Sequence, residues 1–243
     1  MLRIIDARTG EPAPAAPVRR APTRVEAHVP ERDATALRVL LVADLLVRAL
    51  ELDGTPVWPV LTGAAERDRL REDAAALGIR PFEDGAAGHG PGTGQRVRVV
   101  GAGADRRGAG SAFDTTTVAV APVHPAETGL DAPDAVRLAL LERHHHARVD
   151  LDEVALDEAR STLARLRRAV ADWALHPSRP VPGEVRDRLR AAWEDDLDAP
   201  AVLRLLRRVE TDPDLADGAR FEVCAYADRF LGLHLTRDVG APR

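Results

Sequence analysis

The 243-residue chain contains no lysine and no asparagine, one cysteine, and only 3% aromatic residues. Each absence removes chemistry. All 34 basic residues are arginine, and without a lysine amine there is neither a P-loop phosphate clamp nor a Schiff-base nucleophile. Arginine can hold a phosphate, but it stays protonated and cannot serve as a nucleophile or as a proton donor of adjustable pKa. A lone cysteine, Cys224, excludes an internal disulfide and any zinc site built from two cysteines of this chain. With aromatics so scarce, alanine, leucine and valine must build the core. No apolar run approaches the roughly 18 residues of a membrane span, and "MLRIIDARTGEP" has no basic segment followed by an apolar one, so a cytoplasmic protein with no membrane partner is expected.

What is present reads as a globular chain, 45% hydrophobic and 30% charged, long enough for one large domain or two modest ones. "LRIID" (Leu2 to Asp6) and "TRVEAHV" (Thr23 to Val29) predict short strands around the proline-rich connection "GEPAPAAP". "DATALRVLLVADLLVRALEL" predicts a helix from about Asp33 to Leu52, with Leu37, Leu40, Leu41, Leu45 and Val47 on or near one face, Asp44 inside the apolar stretch and Gly54 past its end. "TPVWPVL" (Thr55 to Leu61) carries Pro56 and Pro59 and suits a sheet edge. A helix over "AAERDRLREDAAALGI" completes a β-α-β-α order, the pattern of a small doubly wound layer. Residues 83–111 differ in texture. Gly101, Gly103 and Gly108 follow the strand-like "RVRVV", but nothing after them is patterned as a helix, so a connector is favoured over a nucleotide-binding glycine loop. "FDTTTVAVAPVHP" predicts a buried strand ending near His124.

From Asp131 the chain reads as helical. Leu156, Ala159, Leu163, Leu166, Val170 and Trp173 repeat at spacings of three and four, a core-facing stripe. Asp150 with Glu153 resembles a capping box at its start. Further helices are expected over Gly183 to Trp193, Pro200 to Val209 and Ala219 to Leu231, the last stopping at Gly232. In "WEDDLDAP", Asp198 reads as an N-cap ahead of Pro200 rather than as part of a cation site. The run His144, His145, His146 invites a metal reading. On a helix, however, successive side chains point about 100° apart and the i+4 partner of His144 is Arg148, so a helix C-terminus favouring imidazoles is preferred.

Several phrases, in order, resemble cysteinyl-tRNA synthetases and still more the mycothiol-pathway cysteine ligases. "APDAVRLALLERHHHARVDLDEVALDEARSTLARLRRAV" resembles the segment after their KMSKS loop, "AAWEDDLDAPAVLRLL" their "DDLDTPxAL" turn, and "ADRFLGLHL" their closing "LGL". Nearer the start, "LRIIDARTGEPAPAAPV" resembles their opening hairpin, "RVLLVADLLVRALELDGTPVWPV" the helix and strand after the HIGH motif, and "REDAAALGIRPF" their "EDMAALGVLPP". The resemblance implies an α/β plus all-α chain: an abbreviated Rossmann-like class I synthetase domain over residues 1–126, with 83–111 standing in for the family insertion, then a helical bundle over 127–236 and a tail over 237–243. The histidines fall where the family ends its H-Y-R helix.

The departures from the family bear on function. The HIGH position falls at "DATA" (Asp33 to Ala36) without its histidines, and the KMSKS position at "HPAETGL" without lysine. The cysteines that bind the family's zinc are missing from "VEAHVPERD", and the "FPHHE" segment is gone. Transition-state charge stabilisation and metal-assisted substrate selection each carry several kcal/mol in such enzymes, about enough that losing all of them abolishes adenylation. The expectation is a non-catalytic pseudoenzyme that binds a protein partner or a small nucleotide-like ligand, in a pocket lined by Thr35, Arg38, Thr62 and His124. No cofactor is expected, zinc included, and ATP or an adenylate is the small molecule implied for the pocket. One alternative is a repurposed ATP-dependent ligase or adenylate-binding enzyme using arginines for phosphates and His124 or His28 as acid or base. Another is a tRNA-associated accessory factor. That one is disfavoured by charge, because Glu127 to Arg243 holds 18 arginines against 23 acids and residues 1–126 hold 16 of each.

Overall fold

The computed structural model describes residues 1–17, 22–63, 66–85, 95–103, 115–125 and 129–241. Most of the glycine-rich stretch, Gly108 and the centre of "HPAETGL" lie outside them. The chain opens on an antiparallel hairpin, β1 (Arg3–Ile5) with β2 (Pro12–Pro14), so the proline-rich connection itself supplies a strand. A five-stranded parallel sheet follows: β3 (Thr23–His28), β4 (Val57–Thr62), β5 (Glu83–Asp84), β6 (Arg96–Gly101) and β7 (Thr115–Val120), in the order β5-β4-β3-β6-β7. The strand order reverses between β3 and β6, which is where open α/β sheets leave a crevice at their strand C-termini.

Two corrections concern this sheet. Residues 83–111 are more than a connector, since β5 and β6 both come from them and β6 pairs directly with β3. Val97, Val99 and Val100 are fully buried, and that burial places "RVRVV" in the sheet. β4 is flanked on both sides, by β3 and by the two-residue β5, but β5 meets only Val60 and Leu61. The half of β4 that carries Pro59 thus keeps an outer edge with no strand partner among the described residues, where a missing N–H costs no ladder bond.

Helix α1 (Ala34–Leu52) is buried around its whole circumference, with 15 of its 19 residues buried, rather than along one stripe. It packs against β3 and β6 on one side and against the C-terminal helix α7 (Asp217–Leu231) on another. α2 (Arg67–Ala76) follows β4. The helical part comprises α3 (Pro133–Leu141), α4 (Glu153–Trp173), α5 (Gly183–Glu194), α6 (Ala199–Thr211) and α7, and β8 (Val123–His124) pairs in parallel with β9 (Val149–Asp150) between sheet and bundle. The predicted α4 stripe is buried at Ala159, Leu163, Leu166, Val170 and Trp173, with Leu156 packed partly buried beside it. Its N-cap is Asp152, which accepts from the Ala155 N–H at 2.8 Å, and not Asp150, which is committed to β9. Asp198 caps α6 by accepting from Ala201 N–H at 2.8 Å, and α7 stops at Gly232 in the left-handed region, φ 62°. Among the described residues no helix is long and apolar enough to cross a membrane.

Asp44, the acid inside the apolar face of α1, joins the layers. It is 1% exposed and accepts from Arg48 (2.8 Å), Arg80 (2.9 Å) and Arg137 (3.3 Å). Arg137, equally buried, also donates to the carbonyls of Leu77 (3.0 Å) and Leu231 (2.7 Å). One contiguous hydrophobic core runs from Leu2 to Leu235 through both sheet and bundle.

Candidate functional site

At the reversal of strand order, the ends of β3 and β6 and the first turn of α1 enclose a cavity of about 110 Å³, bounded by His28, Glu31, Asp33, Thr35, Ala36 and Gly101, among others. Its position follows from topology: parallel strands bring their C-termini to one edge, and the β3–α1 connection leaves the helix N-terminus facing it. That helix end is chemically unusual for a phosphate site. The Asp33 carboxylate accepts the Ala36 N–H at 2.6 Å and so occupies the place an anion would take. With Glu31 the lining holds two carboxylates, and none of the described lining residues is an arginine. Arg32, in the same loop, is turned to Asp73 at 2.7 Å.

Glu26 and His28 point to the same face of β3, two residues apart, and meet Thr62 on β4. The Thr62 hydroxyl donates to Glu26 Oε1 at 3.2 Å, so Oγ1 accepts from His28 Nδ1 at 3.1 Å. The imidazole can lie this close only because Gly63, at φ 82°, has no side chain: a Cβ there would be 2.9 Å from His28 Cε1.

Of the four residues expected to line a pocket, Thr35 lines this cavity, where its hydroxyl accepts from Val123 N–H at 3.1 Å. Thr62 sits one step behind it, through His28. His124 is exposed and lies in β8, where its carbonyl accepts from Leu151 N–H at 2.7 Å. Arg38 is elsewhere. It is 1% exposed and donates to the carbonyls of Ala121 (2.9 Å), Ala147 (2.6 Å), Arg143 (3.2 Å) and His144 (2.8 Å). Burial lowers its pKa to about 10, which leaves it charged at neutral pH. Gly101, set aside with its neighbouring glycines as part of a connector, and Ala102, which the sequence did not single out, border the cavity because the β3–β6 pairing brings them here.

The histidine run departs from its expected geometry. α3 ends at Leu141, and His144, His145 and His146 lie in a turn rather than on a helix. Their rings therefore gather, with centroids 4.1 to 5.1 Å apart, and their Nε2 atoms lie 3.8, 3.7 and 2.7 Å from Asp196 Oδ2. Burial lowers the pKa of His144, partly offset by Asp196, and pushes that of His145 well down, helped by the neighbouring histidines and Arg38. A larger open groove of about 470 Å³ beside this turn, between α3 and α4, has charged walls of both signs, including Glu142, Arg143, Arg148 and Asp152. It lies away from the strand ends.

The fold defines a class: a Rossmann-like parallel layer with a cavity at the strand C-termini, joined to a helical part. Comparison with known proteins makes this more specific. The chain is 40% identical over 103 residues to the L-cysteine:1D-myo-inositol 2-amino-2-deoxy-alpha-D-glucopyranoside ligase of Acidothermus cellulolyticus, a match covering 42% of this chain and 25% of the relative. It is 46% identical over 71 residues to the ligase of the same name from Parafrankia sp., covering 29% of this chain and 15% of the relative. With the cysteine–tRNA ligase of Hahella chejuensis it shares 32% identity over 78 residues, covering 30% and 17%. No family model matches the chain. The chain is thus related to the cysteine ligases and cysteine–tRNA ligases, and the matched parts span about a quarter or less of those proteins. The zinc that the resemblance implies has no thiolate donors here, since Cys224, the single cysteine, is buried in α7 with its pKa pushed up to about 12.

Proposed function

We propose that this protein is a non-catalytic relative of the cysteine-activating ligases that binds a nucleoside-like ligand of low negative charge at the ends of β3 and β6. The observation that carries the reading is the cavity wall. Glu31 and Asp33 repel a triphosphate, and Asp33 takes the N–H group of α1 that would otherwise help to hold it. Adenylation needs cationic donors where negative charge develops on the reacting phosphates, and carboxylates at that place act in the opposite direction. The cavity is smaller than the roughly 300 Å³ of a full small-molecule site, so it receives part of a nucleoside while the remainder lies on the surface. A cytoplasmic location belongs to the same proposal, in keeping with the buried, unpaired thiol of Cys224.

The test is a thermal-shift series with adenosine, AMP, ATP, cysteine and an aminoacyl-sulfamoyl adenosine, run beside a pyrophosphate-exchange assay. Adenosine and the sulfamoyl analogue are expected to raise Tm by about 5 °C or more at a hundredfold excess over Kd, with ATP the weakest of the adenosine series. Exchange stays at background. Amino-acid-dependent pyrophosphate exchange above the blank would overturn the reading, as would stabilisation that increases with phosphate number.

A further inference from the structure

The histidine turn and Asp196 do not belong to the cavity at the strand ends, and their arrangement has its own logic. The Arg38 guanidinium gathers the carbonyls of Arg143, His144 and Ala147, which fixes the backbone of the turn. The three imidazoles are left to converge on one point. Facing them, Asp196 and Leu197 hold φ of 52° and 58°, two consecutive non-glycine residues in the left-handed region, a conformation that persists only where surrounding contacts enforce it. Those contacts are visible: Asp196 N–H donates to Arg3 O at 2.9 Å, and Asp196 Oδ1 accepts from Ile5 N–H at 2.9 Å. The other oxygen, Oδ2, is the one that faces the histidines.

His145 supplies a second, independent observation. Its side chain is 3% exposed, and neither ring nitrogen has a hydrogen-bond partner. A buried polar atom left so costs about 1–3 kcal/mol, and native structures rarely tolerate it without a reason. The four candidate donor atoms, one from each residue, all lie within 4.8 Å of one another. Tetrahedral zinc with bonds near 2.0–2.1 Å places its donors about 3.3 Å apart. The 3.7 and 3.8 Å separations would close by about half an ångström, the 2.7 Å contact of His146 would open by about 0.6 Å, and donor pairs up to 4.8 Å apart would close by up to about 1.5 Å through side-chain rotation. His144 and His146 are 29% and 35% exposed, so an ion has a way in.

We propose that His144, His145, His146 and Asp196 form a binding site for one divalent transition-metal ion of the zinc type. Three imidazoles and one carboxylate are donors that zinc, cobalt and nickel accept and that calcium and magnesium disfavour. With four protein ligands the site is closed and structural. It clips the turn after α3 to the α5–α6 turn, and through Asp196 to the first strand of the chain.

The experiment uses untagged full-length protein, stripped with chelator and dialysed, with the metal alone as probe. Zinc is expected to bind at one equivalent and raise Tm by several degrees, and cobalt(II) to bind at the same stoichiometry with the intense visible bands of a tetrahedral site. His145→Ala abolishes both signals. Asp196→Asn, which keeps an oxygen for Ile5 N–H, weakens binding by about tenfold or more. His124→Ala and His176→Ala leave it unchanged. Should His145→Ala fail to fold by circular dichroism, Asp196→Asn and the exposed His146→Ala carry the test. Absence of a stoichiometric ion at equimolar concentrations overturns the proposal, and so does binding that survives unchanged in the ligand variants that fold.

Discussion

Asp44 is the residue whose surroundings most directly set stability. Burial alone would raise its pKa, but the charges of Arg48 and Arg137 and the hydrogen bonds from Arg80 and Arg48 outweigh burial and hold it below the ordinary carboxylate range. Arg137 feels the opposite balance: burial brings its pKa to about 10 despite Asp44, and it stays protonated at neutral pH. A folded-state pKa lowered for an acid means stability that is present above the unfolded value of about 3.9 and is lost as pH falls through the folded one. Asp6, also lowered because its bonds to Arg8 and Thr117 overcome burial, adds to the same window. Urea midpoints measured from pH 7 downward are therefore expected to drop below about pH 4, and Asp44→Asn to flatten that drop. At pH 7 the variant should lose about 3–5 kcal/mol, because Arg137 is left buried without its counter-charge. A second residue-scale prediction concerns the cavity. At Gly101 an added Cβ meets, among the described residues, only Thr35 Cγ2, at 3.7 Å, so Gly101→Val should fold with little change in Tm and abolish the shift produced by the adenosine analogue.

At the scale of elements, periodicity was a sound guide where one face is buried and a poor one where all faces are. The α4 stripe and the stop at Gly232 were legible because burial of a single face and a left-handed C-cap leave local marks. α1 looks one-sided in sequence and is buried all round, because the sheet, α2, β8 and α7 all pack against it, a fact that no window of nineteen residues contains. The α4 cap was misplaced by two residues, and a pair of variants tests the assignment. Asp152→Ala is expected to cost about 1 kcal/mol in chemical denaturation, whereas exposed Asp150→Ala should stay within about half of that. At the other end of the bundle, Gly232→Ala should destabilise by about 2 kcal/mol or more, because a Cβ at φ 62° would lie 2.6 Å from Arg137 Nη2.

For the whole molecule, division at residue 126 describes the order of elements better than it describes the packing. Sheet and bundle share one core, and Arg137 bonds across it to Leu77, Leu231 and Asp44. Calorimetry is expected to show a single unfolding transition, with the van't Hoff and calorimetric enthalpies equal; two resolved transitions would mean that 1–126 and 127–236 unfold independently. Gathering the site residues is also a property at this scale, since Asp196 and His146 are 50 positions apart and Arg38 reaches carbonyls more than 80 positions away.

The sequence by itself determined which chemistry this protein lacks, where its long helices and most of its longer strands lie, and that it is related to the cysteine ligases, because residue absence, short-range periodicity and ordered phrases are all local properties. Tertiary structure alone decided that Arg38 serves the backbone of a turn, that Asp33 closes the anion position of α1, and that three successive histidines face one carboxylate. Those outcomes depend on which distant groups share a buried volume, and the partner of a buried polar group is set by the packing of the whole chain.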